Sequence, residues 1–197
     1  MVDTEVMEKN TAQNILDVAR NMVRNRGYSA FSYADIAEKV GIRKASIHYH
    51  FPSKEALVKK LVQEYRESMA RQCDRIAQSP VTPDEQLRQF AQLYQNGLEQ
   101  NQICLCAMLA ADFVVLPEPV QAEIRAFFQQ TETWLVTLLQ KGCDAKIWQC
   151  HSSPEREAKG TIAMLQGAQL LARSAEDGNA AFQELVYPLL AAKFAPT

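Results

Sequence analysis

Apolar residues recur along most of the chain at intervals of three and four positions, the spacing that places them on one face of an α-helix. Ile15, Ala19, Met22 and Val23 form the first such stripe, and a stripe with a four-residue repeat follows over residues 57–69. No segment alternates apolar and polar residues for long enough to indicate a β-sheet. The pattern therefore predicts an all-α fold.

Breaks in this pattern divide the chain into about nine predicted helices. The first begins near Asn10 or Thr11, where Gln13 has capping-box spacing from Asn10, and it stops at Gly27. The others are expected at residues 32–41, 44–51, 53–79, 84–100, 103–114, 119–142, 155–175 and 179–194. The break at residues 79–83, which contains two prolines, is the best candidate for the edge of a C-terminal domain.

The two ends of the chain differ in charge. The formal net charge is -2, made up of -3 over the acidic residues 1–8, +6 over residues 9–60 and -5 over residues 61–197. A basic N-terminal module on an acidic body suits contact with a polyanion at one end only. We assign residues 1–55 to a three-helix N-terminal domain and residues 56–197 to a larger helical domain.

The second and third predicted helices, joined by a turn that contains Gly41, have the arrangement of a helix-turn-helix motif. Apolar residues can pack the two helices together, namely Ile36, Val40, Ile42, Ile47 and Phe51. The outer face of the third helix then carries cationic and hydrogen-bonding side chains: Arg43, Lys44, Ser46, His48, Tyr49 and His50. Such side chains contact phosphates and base edges of DNA, and Lys54 at the start of the fourth helix adds a candidate phosphate contact.

Five ordered segments of this region match a known family. They are Asn-Arg-Gly-Tyr at residues 25–28, Phe-Ser-Tyr-Ala-Asp-Ile-Ala at 31–37, Val-Gly-Ile at 40–42, Lys-Ala-Ser-Ile-His-Tyr-His-Phe at 44–51 and Ser-Lys-Glu-Ala-Leu at 53–57. Residues 10–60 thereby resemble the DNA-binding domain of the TetR family of bacterial repressors. The resemblance implies that the third helix enters the major groove of operator DNA, that Tyr49, His50 and Lys54 hold phosphates, and that binding represses transcription.

Two departures from the family pattern bear on which operator is recognised. Arg43 opens the third helix where the family usually has a small hydroxyl residue, and His48 replaces the first aromatic residue of a Tyr-rich run. Arg43 gives up a helix cap worth about 1 kcal/mol and is a candidate for a phosphate or guanine contact instead. The operator preference of the family is therefore not carried over.

The C-terminal part resembles the sensor domain of the family more weakly. Residues 103–112 look like the pocket helix of a TetR subgroup, with Ile103 in place of a glycine. We expect an effector pocket in the helical core, lined by aromatic, apolar and a few polar residues: Phe90, Leu93, Tyr94, Cys104, Leu109, Asp112, Phe113, Phe127, Trp134, Leu138 and Gln166. Asp112 and Gln166 are its candidate polar contacts, and the expected effector is an apolar or aromatic small molecule.

The five cysteines are an odd number at irregular spacings: Cys73, Cys104, Cys106, Cys143 and Cys150. Because the N-terminus does not read as a secretory leader, we expect a cytoplasmic protein whose cysteines are reduced thiols rather than disulfides. In some TetR relatives a cysteine that matches Cys104 senses electrophiles or oxidants. Thiol sensing without a reversible ligand and simple core packing both remain open for Cys104.

The sequence shows no set of residues suited to binding a metal ion or to catalysis. His48 and His50 point about 200° apart on a helix and cannot share a metal ion. A cysteine nucleophile would need a nearby base, and His151 is the one histidine outside the motif. No apolar run approaches the roughly 18 residues of a membrane span. We expect no enzyme activity, cofactor, metal or membrane association; a helical adaptor that has lost DNA binding is the remaining alternative.

The last two predicted helices carry apolar faces larger than a monomer needs to cover its core. The faces consist of Ile162, Met164, Leu165, Ala168, Gln169 and Ala172 on one helix, and Phe182, Leu185, Val186, Leu189 and Leu190 on the other. Pairing them about a twofold axis predicts a homodimer, as the resemblance also implies. Such a dimer places two recognition helices on a palindromic DNA site. An effector or a thiol-reactive signal would favour a dimer in which the two DNA-binding domains are spaced wrongly for that site.

Overall fold

The computed structural model describes residues 2–150 and 152–194, with residues 2–9 described by their backbone alone, and the regular elements within these ranges are all helical. The α-helices of the described residues are α1 (Val2–Arg26), α2 (Tyr33–Val40), α3 (Lys44–His50), α4 (Lys54–Gln78), α5 (Pro83–Gln95), α6 (Leu105–Ala111), α7 (Glu118–Asp144), α8 (Pro154–Ala172) and α9 (Gly178–Lys193). Short 3-10 turns follow α5 at Leu98–Gln100 and α6 at Phe113–Val115. The prediction of an all-α fold with about nine helices is confirmed.

The largest differences between the predicted and the observed helix boundaries concern three helices. Helix α1 starts at Val2, so that Asn10 lies inside the helix and does not cap it. The predicted helices at residues 84–100 and 103–114 are both shorter, because each gives way to a 3-10 turn. Asn96 and Gly97, which end α5, are poor helix formers, and Asn101 then adopts the left-handed conformation with a φ of 53°.

The proline-containing break between α4 and α5 is an ordered joint. The Thr82 hydroxyl accepts a hydrogen bond from the N–H of Glu85 at 3.3 Å, and Pro83 occupies the first turn of α5, where its missing N–H costs nothing. The side-chain amide of Gln86, which is 1% exposed, donates to the Ile76 carbonyl at 3.0 Å. The backbone N–H and the hydroxyl of Ser79 donate to the same carbonyl, at 3.1 and 2.6 Å, so a buried glutamine and Ser79 together satisfy the end of α4.

The chain forms two compact units. Of the described residues, the first unit contains those up to Arg66 and Leu105–Arg125, and the second contains Glu67–Cys104 and those from Ala126 onward. Helix α6 and the start of α7 thus belong with the N-terminal helices, although they lie about 50 residues beyond the predicted domain boundary at residue 55.

The core of the first unit is built on α1, which packs against α2, α3 and α6. Ile15, Ile36, Ile47 and Leu57 are completely buried in this unit. Glu123, at the start of α7, accepts hydrogen bonds from two side chains of α4, those of Gln63 at 2.7 Å and Arg66 at 3.3 Å. The apolar core is therefore supplemented by polar links between α4 and α7.

The second unit has an aromatic core. Phe90, Phe127 and Phe182 are completely buried, and the ring of Phe90 lies 5.1 Å from the ring of Trp134. Helix α8 packs against α5 and α9.

The cysteines correct the expectation that all five are reduced thiols. Cys143 and Cys150 form a disulfide with a Cα–Cα distance of 6.0 Å, whereas Cys73, Cys104 and Cys106 are buried thiols. The spacing of the two cysteines in the sequence does not predict this disulfide, because no local motif relates them. It forms because α7 ends at Asp144 and the short connection to α8 turns back on that end.

The apolar faces of α8 and α9 are also different from those predicted. Most of the residues assigned to a dimer interface lie in the core of the second unit: Ile162, Leu165, Ala168, Gln169, Ala172, Phe182, Val186 and Leu190. The exposed apolar side chains on these helices are Leu170, Leu171, Leu185 and Leu189. The predicted helical period is correct, but the chain's own core covers the apolar face that faces the interior.

Within the described ranges no helix is both long and apolar enough to cross a membrane. The same residues contain no group of three or more histidine, cysteine or acidic side chains placed to hold a metal ion.

Candidate nucleic-acid interface

Helix α2 has a defined start and end. At the start, the Ser32 hydroxyl accepts the N–H of Asp35 at 3.4 Å and the Asp35 carboxylate accepts the N–H of Ser32 at 2.6 Å, which completes a capping box. Hydrogen bonds from Ser32 lower the pKa of the Asp35 carboxyl. At the end, Gly41 has a φ of 76° and its N–H donates to the Ala37 carbonyl at 2.9 Å.

Helix α3 is held against α2 by burial and by one long-range hydrogen bond. Ile47 of α3 and Ile36 of α2 are completely buried, and Phe51 is 8% exposed. The Tyr33 hydroxyl donates to the Phe51 carbonyl at 2.9 Å, which anchors the end of α3. Burial, assisted by the nearby Tyr28 hydroxyl, raises the pKa of Tyr33 to about 12, so this donor keeps its proton at any physiological pH.

The opposite face of α3 points to solvent. Arg43, Lys44, His48 and Tyr49 are exposed, whereas Ser46 and His50 are half-buried. Tyr49 is 72% exposed, an unusual position for a large aromatic side chain that also carries a hydroxyl donor. The structure thus exposes four members of the predicted set on a rigid α3, and their contacts with DNA stay a prediction.

The start of α3 lacks a side-chain cap, as the sequence predicts. Arg43 occupies the N-cap position with a φ of -76° and a ψ of 145°, and its side chain makes no capping hydrogen bond. Its guanidinium is exposed at the first turn of the helix. A basic side chain therefore stands beside the amides that α3 leaves unpaired.

His48 is partly engaged within the motif itself. Its ring lies 4.8 Å from the ring of Tyr33, and its Nδ1 atom lies 3.3 Å from the Pro52 carbonyl oxygen. These contacts fix the orientation of the imidazole while leaving the residue exposed.

Lys54 has a structural role that the sequence did not reveal. Its ammonium donates to the Phe31 carbonyl at 2.5 Å and lies over the rings of Tyr28 and Phe31, at 4.6 and 4.1 Å from their centroids. Burial lowers the pKa of Lys54, and the carboxylates of Asp35 and Asp112 oppose that shift. Lys54 therefore fastens α4 to the segment before α2. The predicted phosphate contact would use the remaining hydrogens of the ammonium group.

Asp112 belongs to the same cluster rather than to the aromatic core where the sequence placed it. Its Oδ2 atom accepts the N–H of Tyr28 at 2.9 Å. Gly27, which precedes Tyr28, has a φ of 82°, and a Cβ atom added there would lie 3.0 Å from the same oxygen. The end of α6 is thus tied to the loop that leads into α2. The two partners are 84 positions apart in the chain, so no sequence pattern could have revealed the contact.

The residues predicted to line an effector pocket are divided between the two units. Leu109, Asp112 and Phe113 lie in the first unit, and the others lie in the second: Phe90, Leu93, Tyr94, Cys104, Phe127, Trp134, Leu138 and Gln166. In the second unit the ring of Phe90 contacts the rings of both Tyr94, at 5.4 Å, and Trp134, at 5.1 Å. The second unit therefore holds eight of the eleven predicted pocket residues.

Two glutamines of α8 differ in how their amides are satisfied. Gln169 accepts the N–H of Cys104 at 2.9 Å and donates to the Tyr94 carbonyl, so both ends of its amide are used. Among the described residues, neither amide atom of Gln166 has a hydrogen-bond partner, although both atoms are buried. A buried amide without partners costs about 1–3 kcal/mol, which makes Gln166 a candidate contact for a ligand.

The capped α2, the Gly41 turn and the exposed polar face of α3 define a helix-turn-helix DNA-binding protein. Residues 15–61 match the family of bacterial regulatory proteins, tetR family. A TetR-family transcriptional regulator from Agrobacterium tumefaciens is 36% identical, with a TM-score of 0.90 over 95% of this chain and 100% of that one. A TetR transcriptional regulator from Legionella pneumophila is 31% identical, with a TM-score of 0.84 over 92% of this chain and 95% of that one. The chain belongs to the TetR family and is a DNA-binding transcriptional regulator, not an enzyme.

A more distant similarity extends over about two thirds of the chain. The nucleoid occlusion factor SlmA of Vibrio vulnificus is 25% identical over 135 residues, which is 68% of this chain and 69% of that protein.

Proposed function

We propose that this regulator is a homodimer that binds a palindromic operator through α3, represses transcription, and leaves the operator when a small molecule occupies the second unit. The observation that carries the proposal is the outer face of α3, which is held rigidly from behind by Ile47 and Tyr33 and exposes Arg43, Lys44 and Tyr49.

DNA binding by this face follows from the kinds of side chain on it. Arg43 and Lys44 supply positive charge at the start of α3, and the Tyr49 hydroxyl supplies a neutral donor farther along. Cationic side chains and hydroxyl donors position a protein on phosphates, and arginine also reads guanine in the major groove. The rigid mounting reduces the side-chain and backbone entropy that binding would otherwise cost.

The dimer is supported by exposed leucines on α8 and α9. Leu170 and Leu171 are 60% and 65% exposed, and Leu185 and Leu189 are 37% and 44% exposed. Leucines on the two helices that close the second unit form the kind of apolar surface that a partner protomer covers. A twofold axis through α8 and α9 would make a four-helix interface.

The effector site is supported by the aromatic cluster of the second unit and by Gln166. Phe90, Tyr94 and Trp134 offer flat apolar surfaces, and Gln166 offers one donor and one acceptor without partners among the described residues. An aromatic molecule with one polar group would satisfy both features. Binding to one of two dimer conformations would shift the population away from the DNA-bound form.

The alternative functions receive less support. Cys104 is 2% exposed, so the solvent access that thiol sensing requires is lacking. An adaptor that had lost DNA binding would have no need for an exposed Tyr49 beside Arg43 and Lys44.

The experiment is selection of genomic fragments with the purified full chain, followed by a salt series on the enriched site. We expect a twofold-symmetric site whose affinity falls steeply with salt, because bound lysines and arginines displace counterions from phosphates. Tyr49→Phe, which removes only the hydroxyl, and Lys44→Ala are expected to weaken binding. Lys141→Ala, at an exposed position in the last turn of α7, serves as the control and should bind normally. Failure to enrich any fragment at low salt would refute the proposal.

A further inference from the structure

We propose that Cys143 and Cys150 form a reversible dithiol–disulfide pair, closed by two-electron oxidants such as hydrogen peroxide and reopened by dithiols, which controls how Trp148 packs between the ends of α7 and α9. An effect of this switch on operator affinity rests on the function proposed above. The reversible disulfide and the change in the packing of Trp148 do not depend on that function.

The two sulfurs are placed for this chemistry. Cys143 lies in the last turn of α7 and Cys150 in the connection to α8, with Cα atoms 6.0 Å apart, within the range that a disulfide bridges without backbone movement. Cys143 is half-buried and Cys150 is exposed, so small oxidants and thiols can reach the pair. Both residues also line a cavity with Glu157, Lys193 and Phe194.

The other three cysteines are unsuited to the same role. Cys73, Cys104 and Cys106 are 3%, 2% and 0% exposed. Burial raises the pKa of the Cys73 thiol to about 12, which keeps it in the unreactive protonated form. Oxidation is therefore directed to the pair at the end of α7.

Closing the pair has a structural consequence because Trp148 lies between the two cysteines in the chain. Trp148 is 3% exposed, and its ring lies so close to Gly142 that a Cβ atom there would be 2.1 Å from Cζ3. The ring centroid is also 5.1 Å from that of Phe194, which caps the end of α9. The disulfide thus closes a short loop whose one large buried side chain joins α7 to α9.

The same region joins α9 to α8. The Lys193 ammonium lies 2.7 Å from the Glu157 carboxylate, so the end of α9 is paired with the first turns of α8. These two helices also carry the exposed leucines of the proposed dimer surface. A change in the packing of Trp148 is therefore transmitted to the helices on which the proposed dimer depends.

Reversibility is expected from the surroundings in which a DNA-binding regulator works. Proteins that share a compartment with the chromosome meet glutathione and thioredoxin, and disulfides found there in mesophiles are usually transient or redox-sensing. With hydrogen peroxide, one thiolate attacks an oxygen and becomes a sulfenic acid while hydroxide leaves. The second thiolate then attacks that sulfur, the S–S bond forms and the S–O bond breaks. The two thiol protons leave in two molecules of water, and a dithiol reverses the change by supplying two electrons and two protons.

The test uses the full chain in dithiothreitol or after treatment with hydrogen peroxide. Intact-mass and peptide analysis should show the loss of two hydrogens at Cys143 and Cys150 on oxidation and their return on reduction. Tryptophan fluorescence should change between the two states in the wild type but not in Trp148→Phe. Cys143→Ser and Cys150→Ser should abolish the response, whereas Cys73→Ala, the matched control, should keep it.

Operator affinity supplies the third readout, with an expected difference of about fivefold or more between the two states. The proposal is overturned if dithiothreitol cannot reduce the pair in the folded protein, or if fluorescence is the same in both states. If neither state binds any operator, the proposed function fails, while mass and fluorescence still decide whether the pair is a switch. If both states bind equally well, the link to DNA is wrong.

Discussion

Arg43 occupies a position where it lowers the stability of α3, which suggests that it is there for another purpose. It occupies the N-cap of α3 without capping the helix, although serine or threonine at that position would be favourable. Its exposed guanidinium faces the side on which the proposed operator binds. We interpret this as stability given up for DNA contact.

We therefore expect Arg43→Ser to raise the stability of the protein and to lower its affinity for the operator. The serine hydroxyl can cap α3, so the free energy of unfolding should rise by about 1 kcal/mol. Operator affinity should fall, because a cationic contact is lost. Urea denaturation and a binding titration measure the two effects, and a variant that gained stability with unchanged affinity would show that Arg43 does not contact DNA.

Gln166 and Gln169 allow a comparison of the same substitution at two positions of one helix. Gln166→Met removes a buried amide that lacks partners among the described residues, so the protein without effector should become about 1 kcal/mol more stable and lose its response to the effector. Gln169→Met breaks the hydrogen bonds to Cys104 and Tyr94 and should cost about 2 kcal/mol. Thermal unfolding of both variants tests this; a destabilised Gln166→Met would mean that its amide is satisfied in solution.

At the scale of elements, the link between α6 and the loop before α2 is the contact through which we expect regulation to reach the motif. Asp112 accepts the Tyr28 N–H, and Tyr28 in turn lies beneath the Lys54 ammonium. A movement of α6 would therefore reach the segment before α2 through Asp112, and through Lys54, which also donates to the Phe31 carbonyl. This provides a physical route by which the motif can be tilted.

Asp112→Ala should weaken operator binding, although residue 112 itself does not contact DNA in our account. The change leaves the Tyr28 N–H without its acceptor and should cost about 1 kcal/mol of stability. Asp112→Asn keeps an acceptor oxygen and should restore much of the binding, which distinguishes a positioning role from a charge effect. Equal losses of affinity in both variants would favour the charge effect, and no loss in either would remove Asp112 from the route.

The elements also show what sequence reasoning can and cannot reach. The capping box of Ser32 and Asp35, the left-handed Gly41 and the exposed side of α3 were all predictable, because they depend on residues a few positions apart. The contacts of Asp112 with Tyr28 and of Gln169 with Cys104 join positions 84 and 65 residues apart, and they depend on tertiary packing. The sequence predicts the helical period of α8 correctly. However, α8 has apolar residues on two faces, and the pattern does not say which face the core of the chain covers.

At the scale of the whole molecule, the account depends on dimerisation. Leu170 and Leu189 are 60% and 44% exposed on α8 and α9. Replacing either by glutamate places a charge in the proposed interface while leaving the core of the protomer intact.

Leu170→Glu and Leu189→Glu should therefore dissociate the dimer and lower operator affinity by more than tenfold, because a monomer engages only one half-site. Sedimentation velocity measures the mass, and Val114→Glu, at a 94% exposed position outside α8 and α9, is the matched control. A variant that remained dimeric would place the interface elsewhere.

The central claim is that α3 reads an operator twice, once from each protomer. Hydroxyl-radical footprinting of the full chain on an enriched fragment tests it most directly. The account predicts two protected segments related by twofold symmetry, with centres about 10–10.5 base pairs or a multiple of that apart. Lys44→Ala should weaken protection of both equally. A single protected segment, or a footprint and affinity unchanged in Lys44→Ala, would contradict the claim.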